Sequence, residues 1–143
     1  MMAKGNEGVA ARIKVSEGSI GYMEYGFAQR LQLPMAWLEN KAGRFVEPNE
    51  HSGTETLIRN AQRMPDNLRL LIPDPDGDDA YPILTLSWLL LYQHYPNPAK
   101  ISALKQFVHF GLSEGQRYSR DLGYVPLPDE IVSRSLKALD TIQ

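Results

Sequence analysis

The stretch ILTLSWLLLY, residues 83–92, decides the fold class of this 143-residue chain. Its apolar side chains are interrupted only by Thr85 and Ser87. A run of this kind is typical of a strand that is buried on both faces of a sheet. It is too short to span a membrane as a helix, which needs about 20 apolar residues. We therefore predict a central strand at residues 83–92.

Helical patterns follow the predicted strand. Apolar positions recur at helical spacing over residues 101–112, and residues 114–122 form a second predicted helix that ends at a glycine. Pro128 is predicted to be the first residue of the last helix, because two acidic residues follow it in the turn where a helix dipole favours them.

Shorter elements precede the predicted central strand. The patterns predict, in order, a helix over residues 5–15 with Asn6 as its N-cap, a buried strand over 19–25, a short helix over 26–33, two strands over 35–39 and 44–46 joined by a turn, and a helix over 54–63. Strands that alternate with helices indicate an α/β fold, in which helices flank mixed sheets.

Prolines and acidic residues are concentrated between these two groups of elements. Residues 73–80 read PDPDGDDA and are flanked by apolar blocks. This is the composition of a linker, so we place the main internal boundary there. The predicted units are therefore residues 1–72 and residues 81–143.

The acidic run within the linker invites a calcium interpretation. Asp74, Asp76 and Asp78 fit the first three ligand positions of a helix-loop-helix calcium site. The sixth position of such a site requires glycine but is Asp79, and the twelfth requires glutamate but is Thr85. A solvated turn built by aspartate, proline and glycine is therefore the preferred interpretation.

Composition excludes several classes of protein. The formal net charge is −2 and the isoelectric point is about 5.9, with Lys and Arg scattered along the chain, so we predict no nucleic-acid partner. The chain has no cysteine, which removes disulfides, thiolate metal sites and cysteine nucleophiles. Its first residues, MMAKGNEGVAARIK, lack the apolar run of a signal peptide.

The remaining chemistry gives little support for an enzyme. We predict no nucleophile elbow, no P-loop and no dinucleotide-binding fingerprint. His51, His94 and His109 lie far apart without a second ligand at metal-binding spacing, and His109 is predicted to be packed or half exposed on its helix. Glu24, a charge inside the predicted strand 19–25, is predicted to reach solvent or a backbone partner. No catalytic residue, metal or cofactor is predicted.

Ser52, Gly53 and Thr54, in the stretch EHSGTETLIRNAQ, are the candidate anion-binding residues. They lie at the start of the predicted helix 54–63, where hydroxyls and free backbone N–H groups can bind phosphate or sulfate. The alternative is a Ser or Thr N-cap, with Glu55 favouring the first turn. Since nearly every helix needs a cap and few helices bind anions, the cap is the preferred interpretation.

Four segments resemble one family, in order and at similar spacing. They are GNEGVAARIKVSEGSIGYMEYGFAQRLQLP at 5–34, NKAGRFVEP at 40–48, DDAYPILTLSWLLLY at 78–92 and LGYVPLPDEIV at 122–132. Through them, residues 4–140 resemble the C-terminal portion of the periplasmic phosphate-binding proteins of phosphate ABC transporters.

The resemblance implies part of a type II periplasmic-binding-protein fold, whose two α/β lobes close over a dehydrated phosphate. Residues 1–72 would be the later part of lobe two, and residues 73–80 the crossover linker between the lobes. Residues 81–143 would supply the closing strand and the C-terminal helices of lobe one. The implied lobe boundary and the linker placed from composition coincide.

The resemblance also implies that the phosphate ligands lie outside this chain. Members of the family bind phosphate with hydroxyls, backbone N–H groups at helix N-termini, an Asp and an Arg, all upstream of the segment that matches GNEGV. No phosphate-binding residue is therefore expected here. Ser52, Gly53 and Thr54 fall in a peripheral part of lobe two and are the only candidates.

Function and partners follow from the same resemblance. It implies the substrate-binding component of phosphate import, which binds inorganic phosphate through the missing N-terminal part and signals to ABC permease subunits. The chain is expected to be a C-terminal fragment, a truncated reading frame or one piece of a split gene, and to self-associate or pair with a complementary N-terminal chain. It would be periplasmic or in the cell envelope, or cytoplasmic if it is a genuine short reading frame. The alternative function is a free-standing interaction module of the same fold, without transport activity.

Overall fold

Short strands and longer helices alternate along the chain in the computed structural model, which describes residues 2–143. The α-helices are α1 (Gly5–Val15), α2 (Tyr25–Arg30), α3 (Glu50–Asn60), α4 (Pro98–Leu112) and α5 (Asp129–Asp140), with 3₁₀ turns at Ala61–Arg63 and Glu114–Tyr118. The strands are β1 (Leu38–Glu39), β2 (Phe45–Val46), β3 (Ile72–Pro73) and β4 (Ile83–Leu84). The predicted mixed α/β class is confirmed, and the architecture is compatible with part of a type II periplasmic-binding-protein fold.

The first helix has the predicted bounds but a different start. Lys4 occupies the N-cap position of α1 and makes no side-chain capping bond. The prediction of Asn6 as the cap is wrong, because Asn6 lies inside the first turn and its Oδ1 instead accepts a hydrogen bond from the Glu24 N–H at 3.1 Å. Asn6 therefore ties α1 to the start of α2, and Glu24 is exposed as predicted.

The predicted strand at residues 19–25 is wrong. Residues 19–24 have no regular secondary structure, and α2 begins at Tyr25. Ile20 and Tyr22 are 91% and 93% exposed, whereas a buried strand was predicted. The physical reason is the lack of a partner, since a strand is stabilised by the ladder it forms and no strand in residues 2–143 pairs with this segment.

The predicted pair of strands at 35–39 and 44–46 is confirmed in position and is shorter. β1 and β2 are antiparallel, with Leu38 opposite Val46. The turn between them closes through hydrogen bonds in which the Asn40 N–H donates to the Arg44 carbonyl and the Gly43 N–H donates to the Asn40 carbonyl, both at 2.8 Å. Gly43 has φ +75°, a conformation that favours glycine.

The predicted central strand at residues 83–92 is wrong beyond its first two residues. β4 pairs antiparallel with β3, placing Leu84 opposite Ile72 and Ile83 opposite Pro73. Pro73 has no N–H to donate, and the ladder is only two residues long. Residues 85–92 have no regular secondary structure, and Leu90 is 90% exposed.

The C-terminal helices confirm two of three predictions. α4 covers the predicted residues 101–112 and begins earlier, where the side chain of Asn97 accepts hydrogen bonds from two backbone N–H groups of the first turn. The predicted helix at 114–122 is wrong, because Glu114–Tyr118 forms a 3₁₀ turn. α5 is confirmed, with Pro128 at the N-cap rather than at the first helical position.

The hydrophobic core lies between α3, β3 and α5. Its cluster of buried residues consists of Leu57, Ala61, Met64, Leu70, Ile72 and Ile131. Burying each large side chain of this kind contributes roughly 1.5–3 kcal/mol. The Arg134 guanidinium also donates to the Met64 carbonyl at 2.7 Å, which fixes α5 to the end of the 3₁₀ turn after α3. The core thus joins residues from the middle and the end of the chain.

Candidate functional site

The candidate residues lie inside the first turn of α3, not in front of the helix. α3 begins at Glu50, and Asn49 is its N-cap. The Asn49 side chain accepts a hydrogen bond from the Ser52 N–H at 2.9 Å, while Ser52 Oγ accepts one from the Asn49 N–H at 3.1 Å. This reciprocal arrangement is a capping box. The prediction of a Ser or Thr cap at 52–54 is therefore wrong in position.

The hydroxyl of Ser52 is already used by its own chain. Ser52 is 2% exposed, and its Oγ donates to the Glu47 carbonyl at 2.8 Å. The hydroxyl of Thr56, one turn further along, donates to the Ser52 carbonyl at 2.9 Å. Binding an anion at Ser52 would require these bonds to be exchanged for new ones.

The last part of the chain covers Gly53. A β-carbon built on Gly53 would lie 2.8 Å from a methyl group of Val125, so Val125 packs directly over this backbone. Nearby, Arg120 Nε binds Glu50 Oε1 at 2.7 Å. The start of α3 is thus a packing surface for residues 120–125.

The charges of two glutamates act near the first turn of α3. Burial raises the pKa of Tyr25, and the charges of Glu50 and Glu47 raise the pKa further. The helix dipole favours negative charge at this helix start. The expectation that Ser52, Gly53 and Thr54 do not bind phosphate stays a prediction.

Two glycines allow the same C-terminal turn to reach α2. A β-carbon on Gly123 would lie 2.4 Å from the Cα of Gly26, and Gly123 has φ +79°. The Arg30 guanidinium donates to the Leu122 carbonyl at 3.1 Å. Gly123 was predicted only as a helix end. Its contact with Gly26 could not be predicted, because Gly26 lies 97 positions away in sequence.

The pentapeptide GLSEG at residues 111–115 has the G-x-S-x-G spacing of a hydrolase nucleophile elbow. Such an elbow places its serine on a sharp turn between a strand and a helix. Here Ser113 instead follows α4 and precedes a 3₁₀ turn, and its hydroxyl donates to the His109 carbonyl at 2.7 Å. The prediction that the chain contains no G-x-S-x-G pattern is therefore wrong, but Ser113 does not lie on the strand-to-helix turn that a nucleophile elbow requires.

The three histidines lie on the surface of the protein. His51, His94 and His109 are all exposed, so His109 is not packed, and the prediction that it is half exposed is not contradicted. Across residues 2–143 no group of three or more His, Cys, Asp or Glu residues is placed to hold a metal ion. Within the same span, no helix is long and apolar enough to cross a membrane.

An open groove of about 610 Å³ lies between α4 and α5. It is lined by apolar side chains that include Phe110, Leu136 and Leu139. The ammonium group of Lys105, at its edge, donates to the Asp140 carbonyl at 3.1 Å. The charged group that could attract an anion is thus already bound to the C-terminal end of α5.

Comparison with known proteins identifies relatives along nearly the whole chain. No protein-family model matches it. The phosphate-binding protein PstS of Pasteurella multocida is 34% identical over 131 residues, which are 92% of this chain and 38% of that protein. The phosphate-binding proteins PstS of Haemophilus influenzae and Methanocaldococcus jannaschii are 33% and 35% identical and cover 91% and 98% of this chain.

These matches confirm the resemblance to the phosphate-binding protein family. In each of the three relatives, the chain spans only 38–39% of the relative's length. The relatives carry the names of binding proteins rather than of enzymes.

Proposed function

We propose that this chain, a relative of PstS phosphate-binding proteins over 92% of its length, is the C-terminal portion of the substrate-binding component of an ABC-type phosphate importer. In this proposal phosphate is bound by residues upstream of residues 1–143, which span only 38% of the Pasteurella multocida relative. ABC permease subunits are the downstream partners, and the assembly acts in the periplasm or cell envelope. It performs no covalent chemistry, because phosphate is selected by hydrogen bonds and charge.

The observation that carries the proposal is a pair of exposed apolar segments without strand partners, although Leu86 packs against the core and Trp88 Nε1 donates to the Leu68 carbonyl at 2.7 Å. Residues 19–24 and 85–92, hereafter the open apolar segments, contain side chains that a folded monomer normally buries. Exposure reaches 93% at Tyr22 and 90% at Leu90. Contiguous apolar surface of this kind marks an interaction site. The length that the relatives have in excess of this chain supports an upstream portion as the partner.

The mode of association proposed is strand addition. Both open apolar segments were predicted as strands from their composition, and neither has a partner in residues 2–143. Unpaired N–H and C=O groups on such a segment can form a ladder with another chain. Pairing with the upstream portion would then complete the sheets of two lobes, with residues 1–72 in lobe two, residues 73–80 as the crossover linker and residues 81–143 in lobe one.

Co-purification with an upstream portion tests the proposal. The chain is co-expressed with the part of the Pasteurella multocida relative that lies outside the matched segment. We expect a one-to-one complex on size exclusion. The double variant Leu89→Asp/Leu90→Asp should weaken the complex by at least roughly tenfold, because it places two charges in a surface that has to be desolvated.

A matched control and a contrary result complete the test. Ile58→Asp introduces a charge at another exposed apolar position, on α3, and should leave the complex intact. The transport proposal would be contradicted if the chain is a stable monomer that forms no complex with the upstream portion. The double variant would then elute at the same position as the parent chain. That result would favour the free-standing interaction module.

A further inference from the structure

The acidic run at residues 74–80, hereafter the acidic loop, is held by one side chain from the β1–β2 turn. Asn40 is 5% exposed. Its Nδ2 donates to the carbonyls of three loop residues, Gly77 at 3.1 Å, Asp78 at 2.8 Å and Ala80 at 3.2 Å. These partners lie 37–40 positions away in sequence. A single buried amide thus gathers three carbonyls of the loop.

The carbonyl oxygen of the Asn40 side chain binds the β1–β2 turn, to which Asn40 itself belongs. Asn40 Oδ1 accepts hydrogen bonds from the N–H groups of Ala42 and Arg44, both at 3.1 Å. The donor half of the amide therefore binds the acidic loop, and the acceptor half binds the β1–β2 turn. Aspartate at this position would preserve the acceptor half and remove the donor half.

Two residues of the acidic loop are buried. The Pro75 side chain is almost completely buried, and Ala80 is 0% exposed. Gly77 has φ +134°, a conformation that favours glycine, and its Cα lies close to the Arg59 side chain of α3. The run is therefore anchored at Pro75 and Ala80, while its carboxylates are exposed, as the interpretation of a solvated turn predicts.

Ion pairs surround the same contact. Lys41 Nζ binds Asp76 Oδ1 at 2.7 Å, and the Arg44 guanidinium lies 3.3 Å from Asp79 and 3.6 Å from Asp78. All of these side chains are at least half exposed. Exposed pairs contribute little to stability because water and salt screen them. The buried amide is thus the principal attachment.

We propose that Asn40 locks the acidic loop onto the β1–β2 turn, so that the loop is a rigid connection instead of a flexible linker. Where residues 73–80 form the crossover between two lobes, a step that rests on the proposed function, the Asn40 contact makes this connection resist bending.

Amide hydrogen exchange, resolved by NMR on the full chain, tests the lock. The Ala80 N–H donates to the Gly77 carbonyl inside the clamped loop and is the main probe. In the parent chain we expect Ala80 to be protected and residues 85–92 to exchange freely. Asn40→Asp should accelerate exchange at Ala80 by roughly tenfold or more, because the lost donor leaves three carbonyls facing a carboxylate. Ala42 and Arg44 should remain protected.

Three further variants separate the lock from other effects. Asn40→Ala should accelerate amide exchange at Ala80, Ala42 and Arg44 together, because it removes both halves of the side-chain amide. Lys41→Ala combined with Arg44→Ala should change exchange at Ala80 less than threefold, as expected for screened pairs. Asn67→Ala removes an asparagine that caps an exposed turn at the Arg69 N–H and is the matched control, with no effect on Ala80.

Two results would overturn the proposal. In the first, the Ala80 N–H remains as protected from hydrogen exchange in Asn40→Asp or Asn40→Ala as in the parent chain, and α5 also stays protected. The other is equal loss of protection in α5, because Asn40 would then support the whole fold rather than the loop. The experiment needs neither phosphate nor an upstream portion, so its failure is distinguishable from failure of the proposed function.

Discussion

The α3 core and the open apolar segment at residues 85–92 are both rich in large apolar side chains, but only one of them is buried. Leu57 on α3 is 2% exposed, whereas Leu90 is 90% exposed. The α3 face meets β3 and α5, while the ladder that should extend through residues 85–92 stops at Pro73. Both regions therefore contain large apolar side chains, and the availability of a partner decides which of them are buried.

The largest effect should come from truncating a buried side chain of the α3 core. Leu57→Ala removes a core side chain and leaves a cavity, so the free energy of unfolding should fall by about 2–5 kcal/mol. Leu89→Ala, at a 63% exposed position, should change it by no more than about 0.5 kcal/mol. Urea unfolding of both variants measures the difference. Equal losses would mean that residues 85–92 are packed in solution.

The contact between two distant glycines should give the next largest effect. Gly123→Ala forces a β-carbon against the Gly26 Cα at a positive φ, so we expect a loss of about 2–3 kcal/mol in the free energy of unfolding. Gly111→Ala is the matched control on α4, where an added β-carbon meets nothing within 4 Å. That variant should be neutral or more stable by up to about 1 kcal/mol. A destabilised control or a neutral Gly123→Ala would contradict the seating of the C-terminal turn on α2.

Helix caps give a smaller effect that sharpens the comparison. Asn49→Ala removes the capping box of α3, which is part of the core, and should lower the free energy of unfolding by about 1 kcal/mol. Asn97→Ala removes the cap of α4, a helix with no buried residue. It should lower the free energy of unfolding by a smaller amount, because α4 can fray locally. Thermal unfolding followed by circular dichroism compares them. A larger loss at Asn97 would show that α4 is part of the cooperative core.

The smallest effect concerns an ion pair at the acidic loop. The hydrogen bond from Lys41, followed by its charge, lowers the pKa of Asp76. Because the folded pKa is depressed, the contact is present above the ordinary carboxyl pKa and is lost as the pH falls through the folded value. Lys41→Ala should return the Asp76 pKa towards its usual range, as measured by NMR titration of the carboxyl carbon. An unchanged Asp76 pKa in that variant would contradict the pair.

Local signals in the sequence predicted the helices well. α1, α4 and α5 were predicted from the 3.6-residue period of their apolar positions, which depends on neighbours within a few turns. Helix starts were less accurate. At α3 the cap is Asn49, and it was missed because the Ser-Gly-Thr that follows it offers equally plausible capping residues.

Strands and the site depended on partners that the sequence pattern does not reveal. Residues 19–25 and 83–92 have strand composition, but a strand also needs a neighbour, and local composition says nothing about one. Local composition also could not reveal the contacts of Gly123 with Gly26 and of Asn40 with the acidic loop, because these residues are far apart in sequence. For Ser52, the expectation of no phosphate contact came from family resemblance, and its burial and internal hydrogen bonds supply an independent physical reason.

Titration calorimetry with inorganic phosphate tests whether the phosphate ligands lie outside residues 1–143. Phosphate is titrated into residues 1–143 alone and into their complex with the upstream portion. We predict saturable binding by the complex and no detectable binding by the isolated chain, because the proposed function places the ligand residues upstream of residues 1–143. Tight binding by the isolated chain, abolished by Ser52→Ala, would contradict it and return the phosphate site to the first turn of α3.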